Sequence, residues 1–112
     1  MNKKRVHTPE GVRDVYGTEY GQRSKLKAKL NKVFASYGYE GIRTPGFEFF
    51  DVFNSEKGTV SAREMFKFFD REGNTLVLRP DVTPSIARCI AKYFNEENMG
   101  IRLSYAGNVF LN

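Results

Sequence analysis

The sequence predicts an α+β fold, an antiparallel or mixed sheet flanked by helices. Three observations carry this. The elements read helix, strand, hairpin, helix, strand, and the hairpin link is too short for the crossover that a parallel pair needs. An apolar strand ending at Leu78 runs through a stiff turn at Pro80 into a helix opened by Thr83-Pro84. No stretch repeats, and none is of low complexity or marks an internal boundary, so 112 residues read as one domain with a modest core.

In chain order, residues 1–6 are basic and read as a disordered tip. Residues 8–14, Thr-Pro-Glu-Gly-Val-Arg-Asp, are punctuated by Pro9 and Gly11 and read as an ordered loop. A helix follows over 18–37. Leu26, Leu30, Val33, Phe34 and Tyr37 recur at three- and four-residue steps as one apolar stripe, and Lys25, Lys29 and Lys32 line the other side. Gly38 stops it. Residues 39–44 form a strand ending at Pro45, since the residue before proline prefers extended geometry.

Phe47, Phe49, Phe50 and Phe53 crowd the next turn around Glu48 and Asp51. That much aromatic surface needs cover from this core or from another subunit. Residues 54–62 carry the turn chemistry of a loop. Strands over 65–69 and 75–78 are joined by Asp70-Arg71-Glu72-Gly73-Asn74, with Gly73 available for positive φ. The helix of 83–95 carries Ile86, Ile90, Tyr93 and Phe94 on one face and exposes Arg88, Lys92 and Asn95. Asn98 and Gly100 break it. Residues 101–110 then read as a long strand in which Gly107 marks a bulge or the close approach of a backbone or ligand. A long last strand without a hairpin partner is a liability as an edge, so the chain reads as the first part of a larger domain.

Composition narrows the class. The net charge of +5 is uneven, with nine Lys/Arg against Glu10, Asp14 and Glu19 in residues 1–37. This permits contact with RNA or phosphorylated ligands, but the preferred reading is a solvated helix face. No apolar run is long enough to span a membrane and no signal peptide is present. A single cysteine, Cys89, excludes an internal disulfide and fits a reducing cytoplasm, and its apolar helical surroundings predict a buried, inert thiol. His7 is the one histidine, so a zinc site is not expected. Phosphate-binding loops, dinucleotide fingerprints, the serine elbow and zinc-protease motifs are all absent from the sequence.

The candidate site is the junction at Arg79, Asp81 and Thr83. A strand that feeds a helix N-terminus through a charged turn suits a small polar ligand. Arg79 and Asp81, of opposite charge, are placed to contact a zwitterion such as an amino acid. The plainer alternative is local: Asp81 complements the helix dipole, the Thr83 hydroxyl caps the helix, and Arg79 pairs with a neighbouring carboxylate. Residues alone lead to a ligand-binding α+β domain and no named reaction.

Five segments extend the reading. Residues 8–14 resemble the opening signature of the histidyl branch of class II aminoacyl-tRNA synthetases. Tyr37-Gly38-Tyr39-Glu40 through Arg43-Thr44-Pro45, with Phe47-Glu48, resembles that family's first motif. Met65-Phe66-Lys67-Phe68-Phe69-Asp70, and residues 76–83, resemble its hairpin and amino-acid-binding loop. Tyr105-Ala106-Gly107-Asn108-Val109-Phe110 resembles the first strand of its second motif.

The resemblance implies the N-terminal part of a class II synthetase-like core, with 1–112 as one fragment, because the third motif and an anticodon-binding domain do not fit in this length. It also implies a homodimer interface at Pro45, Phe47, Phe49 and Phe50. The loop wording Arg79-Pro80-Asp81-Val82-Thr83, where the synthetase usually has Arg-Pro-Glu-Gly-Thr, is closer to the non-catalytic relatives of the branch, the regulatory subunits of ATP phosphoribosyltransferase. For that group the implied ligand is histidine, its ammonium held by Asp81 and Thr83 and with Arg79 alongside. A carboxylate plus a hydroxyl suits a group with three donors and no acceptor. The implied partner is the catalytic phosphoribosyltransferase subunit, with histidine as feedback ligand and no catalytic residue, cofactor or metal. Leu111 stands where the synthetase places an arginine on the ATP α-phosphate, and a leucine cannot stabilise that charge. Under the alternative, a catalytic histidyl-tRNA synthetase, ATP and tRNA become the substrates.

Overall fold

The chain divides into two units, Met1–Gly38 and Tyr39–Asn112. The computed structural model describes residues 6–54, 60–94 and 100–112. The expected basic tip, most of the loop after Asn54, and the helix-breaking Asn98 lie outside the described residues.

In the first unit, residues 8–14 form the expected ordered loop. The Thr8 hydroxyl donates to the Val12 carbonyl at 2.8 Å, and the Val12 N–H closes a turn on Pro9. Helix α1 (Gly17–Ser36) follows within a residue of its predicted bounds and passes through Tyr37 into Gly38 at φ +82°. Its N-terminus is fixed by a forked ion pair. Both Arg13 terminal nitrogens donate to the Glu19 carboxylate, at 2.8 and 2.6 Å, and Arg23 adds a third contact one turn on at 3.3 Å. An acidic group in the first turn also complements the helix dipole.

The Arg13 hydrogen bond is the main cause that holds the Glu19 carboxyl at about 2, below its ordinary 4.5. A depressed carboxylate contributes stability that is complete above its unfolded value and lost as pH falls through the folded one. The expected carboxyl titration of Glu19, followed by NMR, therefore has its midpoint near pH 2, and a midpoint near 4.5 would show the fork absent in solution. Leu26, Leu30, Val33 and Phe34 of the expected stripe lie on α1 and Tyr37 just past its end, and all five are exposed.

Among the described residues the second unit contains two small sheets. Strand β1 (Glu40–Gly41) runs parallel to β5 (Leu103–Ser104), and the three-stranded antiparallel sheet has the order β2 (Phe47–Phe49), β4 (Thr75–Leu78), β3 (Lys67–Phe69). The α+β reading with a mixed strand arrangement holds. The hairpin is where the sequence put it. Asp70 accepts from the N–H groups of Glu72 and Asn74, and Gly73 takes φ +83°, a conformation disfavoured for other residues. The Asn74 side-chain amide donates to Asp70 as well, and this bond is the first cause that lowers the Asp70 carboxyl below its usual range.

Three elements depart from expectation. The phenylalanine-rich turn is a strand, β2, followed by a single helical turn, α2 (Phe50–Phe53). Its alternation was hidden because Phe occupies both faces at its end. The strand expected over 101–110 is regular only at Leu103–Ser104, because the backbone beyond bonds elsewhere: Phe110 N–H donates to the Arg79 carbonyl and Asn112 N–H to that of Glu64. The strand expected over 39–44 is likewise short, its bonds ending with Ile42 N–H to the Ser104 carbonyl.

Side chains alternate across a strand, so the pairing register assigns two sheet faces. Val77 pairs with Glu48 and Lys67 on one face. That face holds the core, Phe53, Met65 and the fully buried Val77, with Phe50, Val52 and Val60 against it. Helix α3 (Thr83–Tyr93) packs beside α2, Val82, Ser85 and Ile86 at its N-terminal end are buried, and Arg88 reaches Glu48 at 2.9 Å. Arg88, expected to be exposed, is half-buried because its partner lies on the covered face. Burial fades along α3. Cys89 and Ile90 are half-buried and Tyr93, assigned to the apolar face, is exposed, as the helix leaves the core toward its C-terminal end.

The opposite face carries Phe47, Phe49, Phe68, Leu76 and Leu78. Phe47 and Phe68 meet edge to face across β4 at 5.5 Å between centroids. Phe47 and Phe49 remain 51% and 55% exposed, which makes this the open apolar face of the sheet.

Candidate functional site

Three segments of the second unit converge beside the N-terminus of α3: residues 44–46, 79–83 and 105–110. Arg79 joins them. Its backbone N–H donates to the Gly46 carbonyl at 2.9 Å, and its carbonyl accepts from Phe110 N–H at 2.9 Å. Its guanidinium donates from Nε to the Asn108 carbonyl at 2.6 Å and from Nη1 to the Thr44 carbonyl at 3.1 Å. Backbone carbonyls thus take the place of the carboxylate that the local reading of Arg79 expected. A charge-assisted donor to a carbonyl is among the stronger hydrogen bonds, and here two of them tie strand-forming segments 29 and 35 residues away in sequence.

Gly107 is the counterpart of that clamp. A β-carbon built there would lie 2.6 Å from Arg79 Nη2 and 3.2 Å from Cζ, so any larger residue would force the guanidinium to shift from its place against this backbone. The close approach at Gly107 is made by a side chain, that of Arg79, where a backbone or a ligand was expected.

Asp81 and Thr83 stand at the helix entrance as expected, with their roles rearranged. Thr83 is the first helical residue, Pro84 lies in the first turn, and Thr83 makes no capping bond. Asp81 Oδ1 instead accepts from the Thr83 N–H at 3.3 Å. The Thr83 hydroxyl turns outward to the Tyr105 phenol oxygen, 3.3 Å away. The result is a carboxylate and two hydroxyls, all at least partly exposed, along one edge of the α3 N-terminus. Such a set accepts hydrogen bonds from a cation and retains a donor for an anion, which is the chemistry of a zwitterion site.

Tyr105 is a site residue that sequence reasoning did not single out. The signal was available, since Tyr105 and Gly107 lie two apart in an extended segment and share a face. Nearby, Thr44 Oγ1 and Ser85 Oγ are buried without a partner. Among the described residues no three metal-ligating side chains gather into a group, and no helix is long and apolar enough to cross a membrane.

Of the residues assigned to a subunit interface, Pro45, Phe47 and Phe49 are exposed, the two phenylalanines on the open sheet face. Phe50 is on the other side, against the core.

The family model of histidyl-tRNA synthetase matches residues 11–112. The chain belongs to the histidyl-tRNA synthetase family. Among relatives within this family's reach, an ATP phosphoribosyltransferase regulatory subunit of Acetivibrio thermocellus is 42% identical over 98% of this chain. One of the same name from Ruminiclostridium cellulolyticum is equally similar. A crystal structure titled as a regulatory subunit of this transferase/histidyl-tRNA synthetase from Bacillus halodurans superposes at a TM-score of 0.83, with 31% identity over 95% of this chain. The apo histidyl-tRNA synthetase of S. aureus superposes at 0.78, with 30% identity over 94%. The chain spans about a quarter of each: 26% of the Acetivibrio relative, 28% of the Bacillus chain and 29% of the S. aureus chain. The histidyl-tRNA synthetase family thus accounts for the fold, and the convergence at Arg79 lies within the matched residues.

Proposed function

We propose that this chain is the N-terminal part of a regulatory subunit of ATP phosphoribosyltransferase, a cytoplasmic protein that supports the catalytic subunit and transmits histidine feedback. The observation that carries the reading is the 42% identity, over 98% of the chain, to proteins of that name. Site chemistry agrees. Asp81 and Thr83 hold the histidine ammonium with Arg79 alongside, which gives two of its five N–H donors to backbone carbonyls and so fixes the loop that carries them. Leu111, where a catalytic synthetase needs an arginine for ATP, supports a non-catalytic role. The open face at Phe47 and Phe49, with Pro45 at its edge, suits a homodimer contact.

Feedback then operates through histidine binding one assembly state better than another, which shifts the population toward it. The second reading is a catalytic histidyl-tRNA synthetase with ATP and tRNA as substrates. It is favoured by the family match and by the S. aureus neighbour.

Reconstitution separates the two. Sedimentation of the full-length protein with a short-form catalytic ATP phosphoribosyltransferase is expected to give a complex whose activity falls on adding histidine. Charging of tRNA with histidine, and no complex, would select the synthetase.

A further inference from the structure

We propose that Tyr105 is a specificity-determining residue of this site and that its phenol reads the α-carboxylate of the bound amino acid. The proposal rests on the amino-acid reading of Asp81 and Thr83. It begins from the 3.3 Å contact between the Thr83 and Tyr105 oxygens, in which either can donate. A hydroxyl carries one proton and two lone pairs. When an ammonium donates to Thr83 Oγ1, the polarised Thr83 O–H turns to the phenol oxygen. The Tyr105 proton is then directed outward, toward an acceptor on the ligand. In an α-amino acid the acceptor bonded to the same carbon as the ammonium is the carboxylate. It is therefore the group within reach one hydrogen bond further along the chain of hydroxyls, whereas an imidazole ring lies beyond an extra carbon.

The surroundings support the assignment. Tyr105 is 47% exposed, so its ring is accessible to a ligand and not absorbed in the core. Its segment is held against the 79–83 turn by two bonds, Arg79 Nε to the Asn108 carbonyl and Phe110 N–H to the Arg79 carbonyl. Gly107, on the same face two residues on, permits the close seating of the guanidinium. The phenol is thus positioned by the fold before a ligand arrives, which is the condition for a hydrogen bond to add selectivity.

Calorimetric titration of the full-length protein with L-histidine and with L-histidinol, which lacks the carboxylate, tests this. The wild type is expected to prefer histidine. Tyr105→Phe, which removes one oxygen and keeps the ring, is expected to weaken histidine by about tenfold while moving histidinol by less than about twofold. Thr83→Ser should retain the preference. An equal loss for both ligands, or no loss for either, overturns the proposal. Asp81→Asn distinguishes its failure from that of the reading beneath it. If Asp81→Asn abolishes histidine binding and Tyr105→Phe leaves the preference intact, only the role of Tyr105 falls. If Asp81→Asn has no effect, or the wild type binds no histidine, both fall.

Discussion

Arg79→Met is expected to destabilise the protein by about 3 kcal/mol, the loss of two charge-assisted hydrogen bonds from a half-buried guanidinium. The bonds at stake run to Asn108 and Thr44, so the variant leaves residues 105–110 and 44–46 held to Arg79 only by the backbone bonds of Phe110 and Gly46. Gly107→Ala acts on the same clamp from the other side. A methyl group 2.6 Å from Nη2 pushes the guanidinium off its carbonyls, at an expected cost of about 1–3 kcal/mol.

Because both variants break one arrangement, their costs should not add. The double variant is expected to be no less stable than Arg79→Met alone, since alanine at 107 has nothing to displace once the guanidinium is gone. Urea denaturation midpoints at constant slope measure this. Additive costs would mean that the guanidinium does not rest on Gly107 in solution.

The second large effect concerns Glu48 and Arg88, which join β2 to α3 at 2.9 Å. Their burial is unequal: the Glu48 side chain is 8% exposed and that of Arg88 is 32% exposed. Removal of the partly wet arginine leaves a carboxylate in the core, whereas removal of the glutamate charge leaves a cation that can turn to water. Arg88→Met is therefore expected to cost about 3 kcal/mol and Glu48→Gln about half of that, again read from denaturation midpoints. The reverse order would place the buried charge on the arginine. An isolated surface pair would show neither effect.

Local rules made much of this protein legible. The hairpin at 70–74, the α1 stop at Gly38 and the strand–turn–helix around Pro80 follow from residue types with one strong conformational preference each. Asp81 and Thr83 were legible as site candidates because a charged turn before a helix carries its own chemistry. What was not legible depends on partners distant in sequence. Arg79 reads as a ligand contact or as the partner of a nearby carboxylate until Asn108 and Thr44 are known to face it. Arg88 reads as a surface residue until the sheet register puts Glu48 on the covered face. Likewise, the capping role passed from Thr83 to Asp81 because Tyr105, 22 residues on, claims the hydroxyl. Phenylalanine at 47, 49, 50 and 53 obscured where strand gives way to helix, since an apolar residue fits either period.

The central claim is that the Asp81–Thr83 edge holds the ammonium of histidine in a protein that does not activate it. Calorimetric titration of the full-length protein with histidine, with and without ATP and magnesium, tests this most directly. The expected result is histidine binding that Asp81→Ala weakens at least about tenfold, with no pyrophosphate released when ATP is added. Pyrophosphate release would contradict it and make the protein a synthetase, and histidine binding indifferent to Asp81 would move the site elsewhere.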